Sequence, residues 1–183
     1  IGDSLASGEF ESMDEEGNKG YHDYFEYSWG QFIARRCGLK AFNFSRGGMT
    51  AKEFNASFGT ACGFDKPENV CQAYIIALGV NDVLNTGLPV GSLDDIDFEN
   101  YENNKPTFAG EYAKILQKIK KMQPKARIFL MSMPNDECRG NQNRLDTIAA
   151  HRDLLVSLAE KFEFTYVLDF LKYAPIYDEE FRR

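Results

Sequence analysis

Ser4 is the residue around which chemistry could be built. It stands in Gly2-Asp3-Ser4-Leu5-Ala6-Ser7-Gly8, between small and acidic neighbours and just past an apolar residue. That composition suits a strand-to-helix turn that lifts a hydroxyl clear of the backbone. A serine hydroxyl is a weak nucleophile at its free pKa. To attack an ester it needs a base for its proton and fixed donors for the oxyanion that forms. The only histidines are His22 and His151. His22 lies in an acidic stretch after Ser4. His151 falls beside Arg152 at the edge of a helical apolar face, where a helix-surface role is expected.

The elements that must position Ser4 read as alternating strands and helices. Residues 9–28, with Glu9, Glu11, Asp14, Glu15 and Glu16 at their start and Tyr21, Tyr24 and Tyr27 further on, read as a long loop. Ser28 caps a helix with Trp29, Phe32, Ile33 and Arg36 at helical spacing, and Gly38 stops it. Ala41–Phe44 is a short strand, Ser45–Thr50 a turn, and residues 51–58 a helix. Gln72–Gly79 is a near-continuous apolar run, as in a strand covered on both faces, and leads into Val80-Asn81-Asp82. Residues 85–106 form a long polar connection. Phe108, Tyr112, Ile115, Leu116, Ile119 and Met122 mark an amphipathic helix capped by Thr107 and ended by Pro124. Ala126–Met133 is a second buried strand, residues 142–162 a long helix, and Phe164–Phe170 the last strand. The tail from Leu171 has no pattern.

Such alternation means βαβ units and a parallel sheet, and ligands bind such sheets beyond the carboxyl ends of the strands. The segments just past strand ends include Asp3-Ser4, Ser45–Gly48 and Val80–Asp82. The pattern alone therefore sets Ser4, Gly48 and Asn81 on one rim.

Composition narrows the function. The 183 residues suit one domain, and 43% hydrophobic content supports one core. A net charge of −7 argues against non-specific nucleic-acid binding and against docking on an anionic membrane. No run is long and apolar enough to suggest a membrane span. Cys37, Cys62, Cys71 and Cys138 lie at no metal-like spacing. They read as buried or partly buried thiols, with a Cys62–Cys71 bridge as the lesser alternative.

Three blocks of the chain resemble the SGNH, or GDSL, hydrolases: Gly2-Asp3-Ser4-Leu5, then Asn43 with Gly48 five residues on and Thr50 two further, then Gly79-Val80-Asn81-Asp82. The resemblance covers most of the chain. It implies a three-layer α/β/α sandwich with a flavodoxin-like parallel sheet in the order 2-1-3-4-5. It also implies an esterase working through an acyl-enzyme, without metal or cofactor. Ser4 would be the nucleophile and give its N–H to the oxyanion, Gly48 a second backbone N–H, and Asn81 a side-chain N–H. One such donor is typically worth roughly 3–4 kcal/mol of barrier. Asp82 is expected to brace its turn. Arg46 reads equally as an anion contact or a solvated side chain.

The family's base is a histidine after the last strand, often with an aspartate three residues before it. Neither His22 nor His151 fits that position. The expectation is therefore one SGNH-like domain over residues 1–183, excerpted from a longer chain. It would lack its first strand, of which Ile1 remains, and the segment beyond Arg183 that bears the histidine. Two acidic loops, residues 9–16 and 94–102, are expected beside the mouth, with Tyr21, Tyr24, Tyr27 and Tyr101 as stacking surfaces. They suggest a small neutral ester, such as an O-acetyl group on a carbohydrate. The rival reading is a non-catalytic carbohydrate-binding protein on the same fold.

Overall fold

The computed structural model describes residues 1–137 and 141–181. Strands β3 (Ala73–Ile76), β4 (Arg127–Met131) and β5 (Thr165–Leu168) pair in that order, all parallel. The sheet continues past β3 through single bridges. Gly2 pairs in parallel with Ala77 on one side and with Ser45 on the other. The Ala77 N–H donates to Ile1 O at 2.9 Å, and the Arg46 N–H to Gly2 O at 3.3 Å. The segment at Ser45, the opening Ile1-Gly2, β3, β4 and β5 thus lie side by side in the expected order. The strand expected at Ala41–Phe44 is reduced to the single bridge at Ser45.

Helices flank this sheet in a three-layer α/β/α sandwich. α1 (Ser4–Ser7) follows the first bridge directly. α2 (Trp29–Cys37) is capped by the Ser28 side chain, which accepts from the Gln31 N–H, and it ends at Gly38 with φ 65°. α3 (Ala51–Glu53) passes through wider π turns at Phe54–Phe58 into α4 (Gly59–Ala61). α5 (Phe108–Met122) and α6 (Gln142–Lys161) are the long ones, and α7 (Phe170–Tyr173) is a single turn in the tail. The α5 stripe behaves as its spacing predicts: Phe108, Tyr112, Ile115, Leu116 and Ile119 are wholly buried. Each such side chain is worth about 1.5–3 kcal/mol of burial. With Met49, Phe54, Ile76, Ile128, Leu130 and Leu155 they form the core that fixes the strand ends.

Several expectations are corrected. Residues 9–28 are not a loop. β1 (Glu9–Met13) and β2 (Lys19–Asp23) form an antiparallel hairpin, from Glu9 opposite Asp23 to Met13 opposite Lys19. Asp14 closes its turn by accepting the Asn18 N–H at 2.7 Å. Both faces of the hairpin are largely exposed, so it carries no apolar alternation to read. Cys37 and Cys62 are exposed thiols, each at a helix end, whereas Cys71 is half-buried as expected. Cys62 and Cys71 are not bridged, and Cys138 lies outside the described residues. Among the described residues no helix is long and apolar enough to cross a membrane.

Candidate active site

Ser4 sits at the first position of α1, held there by Asp3. The Asp3 side chain accepts the Leu5 N–H at 3.0 Å, and its backbone carbonyl accepts from Ala6 and Ser7. The left-handed Gly8 (φ 79°) closes the turn. A carboxylate before the first helical residue satisfies one of the free N–H groups of a helix start. Burial pushes the Asp3 carboxyl above its usual pKa. Ser4 itself is half-buried. Among the described residues its N–H, like that of Gly48, donates to nothing within the chain.

Gly48 lies in the turn after the second sheet segment, exposed, with φ 72°. A side chain there would be strained by the backbone conformation alone. The turn is tied to α1 by Asn43, whose Nδ2 donates to Ser7 O at 3.4 Å. Arg46 is committed to Glu53 through an exposed ion pair and lies over the Phe58 ring. It is therefore a partnered surface residue.

Asn81 brings the other two turns together. Its Nδ2 donates to Met49 O at 3.1 Å, one residue past Gly48, and lies 3.5 Å from Asp3 Oδ2, one residue before Ser4. Its Oδ1 accepts from Asn85 Nδ2 at 2.8 Å. The amide plane is thus held from both ends, and the second N–H has only the long Asp3 contact to occupy it. Asn85 was not singled out from the sequence; an amide four residues after Asn81 on a helical turn was the available signal. Asp82 braces its turn as expected. Wholly buried, it accepts the Ala51 N–H on Oδ1 at 2.8 Å. Desolvation pushes its carboxyl up to about 6.

The two histidines depart from a catalytic arrangement in different ways. His151 is not on the helix surface. It is wholly buried beneath the strand end, its ring 5.2 Å from that of Phe108, and its Nε2 donates to Leu78 O at 3.1 Å. It fills the space where Gly79 lacks a side chain: a Cβ at Gly79 would lie 2.4 Å from Nε2. Burial lowers its pKa to about 4. The helical pattern placed it at the edge of the apolar face; the glycine opposite lets that edge close. His22 is on β2, paired with Ser12 Oγ at 2.8 Å and stacked near Phe10.

The acidic loops separate. Glu9, at the root of the hairpin, presses its carboxylate against Gly47 beside Gly48. Residues 98–102 lie elsewhere. With Gln117, Lys120, Lys121 and Phe162 they line a groove of about 440 Å³ at the last turn of α5. Lys120 there bonds Ala126 O, just before β4 begins, so this end is opposite the strand ends that carry Ser4 and Asn81. Asp95 pairs with Lys105 and Glu102 with Lys114. Tyr101 lies near Lys114 and Lys121. Residues 98–102, Tyr101 among them, therefore do not flank the mouth, whereas Asp95 lies at the start of α5, where it accepts the Thr107 hydroxyl at 3.1 Å. Among the described residues no three His, Cys, Asp or Glu side chains converge to hold a metal ion.

The fold recurs in solved structures. A carbohydrate esterase family 2 enzyme with a carbohydrate binding domain, from Corynascus thermopiles (Myceliophthora fergusii), superposes with a TM-score of 0.64 at 16% identity, over 96% of this chain and 56% of that one. An active-site mutant of a family two carbohydrate esterase from Clostridium thermocellum gives 0.61 at 16% identity, over 97% and 53%. A possible lipase from Chitinophaga pinensis gives 0.60 at 22% identity, over 95% and 67%. The chain thus spans about half the length of the two carbohydrate esterases, and identities this low speak for the fold alone. No curated protein matches the sequence. The model of the GDSL-like lipase/acylhydrolase family matches residues 1–183. With its whole length so matched, this chain belongs to the GDSL-like lipase/acylhydrolase family and is a hydrolase of ester bonds.

Proposed function

We propose that Ser4 is the nucleophile of this hydrolase and that its own N–H, the Gly48 N–H and Asn81 Nδ2 hold the oxyanion. The reading is carried by one observation: the Asn81 carboxamide is anchored between the neighbour of Ser4 and the neighbour of Gly48. Ser4 Oγ attacks the ester carbonyl, its proton passes to a base, and the three donors stabilise the charge on the carbonyl oxygen. The alcohol leaves with that proton. Water then hydrolyses the acyl-enzyme by the same route in reverse. Neither histidine of the sequence is assigned as that base. His151 is buried against Leu78 O, and His22 is engaged with Ser12 on the hairpin.

The substrate we infer is a small neutral acyl ester, such as an O-acetyl group on a carbohydrate. Glu9 beside Gly47 disfavours anionic groups near the mouth. Phe10 of the hairpin and Tyr24 and Tyr27 just after it lie in a row, with ring centroids 5.1 and 6.3 Å apart, as stacking surfaces for sugar rings. Three of the structures sharing the fold are carbohydrate esterases by their own descriptions, one of them in complex with cellohexaose. Fluorophosphonate labelling of the chain as encoded tests the nucleophile. Label on Ser4, lost in Ser4→Ala, is expected; undiminished labelling of Ser4→Ala refutes the assignment. Comparing kcat/KM on acetyl and octanoyl esters tests the substrate, and a strong preference for octanoyl refutes the small-acyl reading.

A further inference from the structure

We propose that Asp82 is a positioning residue of the oxyanion site: with Asn81 it clamps the turn that carries Gly48 and so sets the separation of two oxyanion donors. The inference rests on the function proposed above.

Two consecutive residues of one turn grip two residues of another, with opposite chemistry. Asn81 donates to the Met49 carbonyl at 3.1 Å, and Asp82 accepts from the Ala51 N–H at 2.8 Å. Gly48 immediately precedes the gripped stretch. It has no side chain, and among the described residues its N–H has no partner within the chain. The direction of that N–H therefore follows from where Met49–Ala51 is held. The turn is closed on itself by the Met49 N–H, which donates to Arg46 O at 3.1 Å; the bond at Ala51 gives this closed turn a second tie to Asn81–Asp82 beside the one at Met49.

The clamp is anchored at its own base. The Asp82 carbonyl accepts the Thr86 hydroxyl at 2.6 Å and the Leu88 N–H at 2.9 Å, and the Val83 N–H bonds Gly79 O at 2.8 Å. Asp82 therefore cannot shift without moving the turn that presents Asn81. A carboxylate is also a stronger acceptor for a backbone N–H than a neutral group. Asp82 is nonetheless an expensive choice: it is wholly buried, and its Oδ2 has no partner among the described residues. A residue needed only to fill space there would not be a carboxylate.

The test is a kinetic cycle on a small acetyl ester, using the chain as encoded. Asn81→Ala is expected to lower kcat by about 10²–10³-fold. Asp82→Ala is expected to lower kcat by about 10–100-fold with KM within about threefold, because it misplaces donors that act in the transition state. Asp82→Asn keeps an acceptor for the Ala51 N–H and should recover kcat to within about fivefold of the parent. The double variant Asn81→Ala/Asp82→Ala should fall no more than about threefold below Asn81→Ala, since both act on one oxyanion. Ala51→Pro deletes the donor from the other side, at a first helical position that suits proline. It should reproduce the kcat loss even where Asp82→Ala fails to fold. Fully multiplicative losses, or equal losses in Asp82→Ala and Asp82→Asn, overturn the clamp while leaving the oxyanion assignment intact. An Asn81→Ala enzyme with parental kcat overturns the proposed function itself.

Discussion

Replacing His151 with leucine should change how stability depends on pH, and the structure sets both sign and size. The Nε2 partner of His151 is a carbonyl, so Nε2 carries the proton, and Nδ1 has no partner among the described residues. The ring is wholly buried beside Phe108. Its pKa falls from 6.5 to about 4 through desolvation. As the pH drops below 6.5, the unfolded chain takes up a proton here that the folded chain refuses until about pH 4. Stability is therefore lost across that window, by about 2 kcal/mol at pH 5 and about 3 kcal/mol at pH 4 relative to pH 7.5.

The parent's own curve hides this loss. Asp82 has its pKa raised from 3.8 to about 6. A raised carboxyl gives stability that is present below the unfolded pKa and lost as the pH rises through the folded one. On acidification to pH 5 it returns roughly 1–2 kcal/mol, against the loss at His151. The informative quantity is thus the difference between parent and His151→Leu, from urea unfolding followed by the fluorescence of Trp29, the one tryptophan. At pH 7.5 the variant should be less stable by about 1–3 kcal/mol, because the Leu78 carbonyl loses its donor. That gap should narrow by about 2 kcal/mol at pH 5, since the variant has no imidazole to keep neutral. A gap that stays constant between the two pH values refutes the reading of a desolvated, neutral His151.

Three other perturbations follow from the same region. Gly79→Ala sets a Cβ 2.4 Å from His151 Nε2 at φ +137°. It should cost about 1–3 kcal/mol from backbone strain alone, with the packing conflict added, measured as a lowered urea midpoint. Asn85→Ala frees the oxygen end of the Asn81 amide and should lower kcat by about tenfold with KM nearly unchanged, a loss that steady-state assays on an acetyl ester would register. Tyr24→Ala, in the middle of that aromatic row, should raise KM for an acetylated oligosaccharide by about fivefold or more and leave p-nitrophenyl acetate unaffected. That size follows from losing about 1 kcal/mol of ring contact.

The parts of this fold that were legible are those where local signals coincide. α2 and α5 each combine a capping residue (Ser28, Thr107) with an apolar stripe and begin at that cap, although in α2 Phe32 and Ile33 of the stripe stay exposed. Ser4, Gly48 and Asn81 were found together because each follows a strand end, a rule that needs only the alternation of elements. Their separate tasks came from the family resemblance, since no spacing distinguishes an oxyanion donor from a turn residue. The hairpin was missed because neither of its faces is buried. His151 was misjudged because its burial depends on Gly79, more than seventy residues away, lacking a side chain. Residues 98–102 of the second acidic loop were set at the wrong end because its acids say nothing of direction; their packing against Gln117 and Lys120 does.

The distribution of buried polar groups is the physical counterpart of the site. Among the described residues Asp3, Ser7, Asp82, Ser132 and His151 are buried at or against the carboxyl ends of the sheet, while two other buried polar side chains lie elsewhere, Ser28 capping α2 and Thr165 opening β5. Each of the five has a partner there. Asp3 holds Leu5, Ser7 meets Asp23, Asp82 holds Ala51, Ser132 accepts from Leu171, and His151 donates to Leu78. Strand ends leave backbone groups unpaired, and these side chains satisfy several of them; the sheet interior, with its ladders complete, is filled by apolar residues instead. Desolvating such groups costs free energy that their hydrogen bonds only partly return. The apolar α5 and β3–β4 packing offsets the remainder from outside the site. The rim proposed here as the site therefore depends on two unlike sets of residues. Core substitutions such as Ile119→Ala should lower stability with kcat preserved in the folded fraction, whereas changes among the five polar groups should alter the geometry of the rim itself.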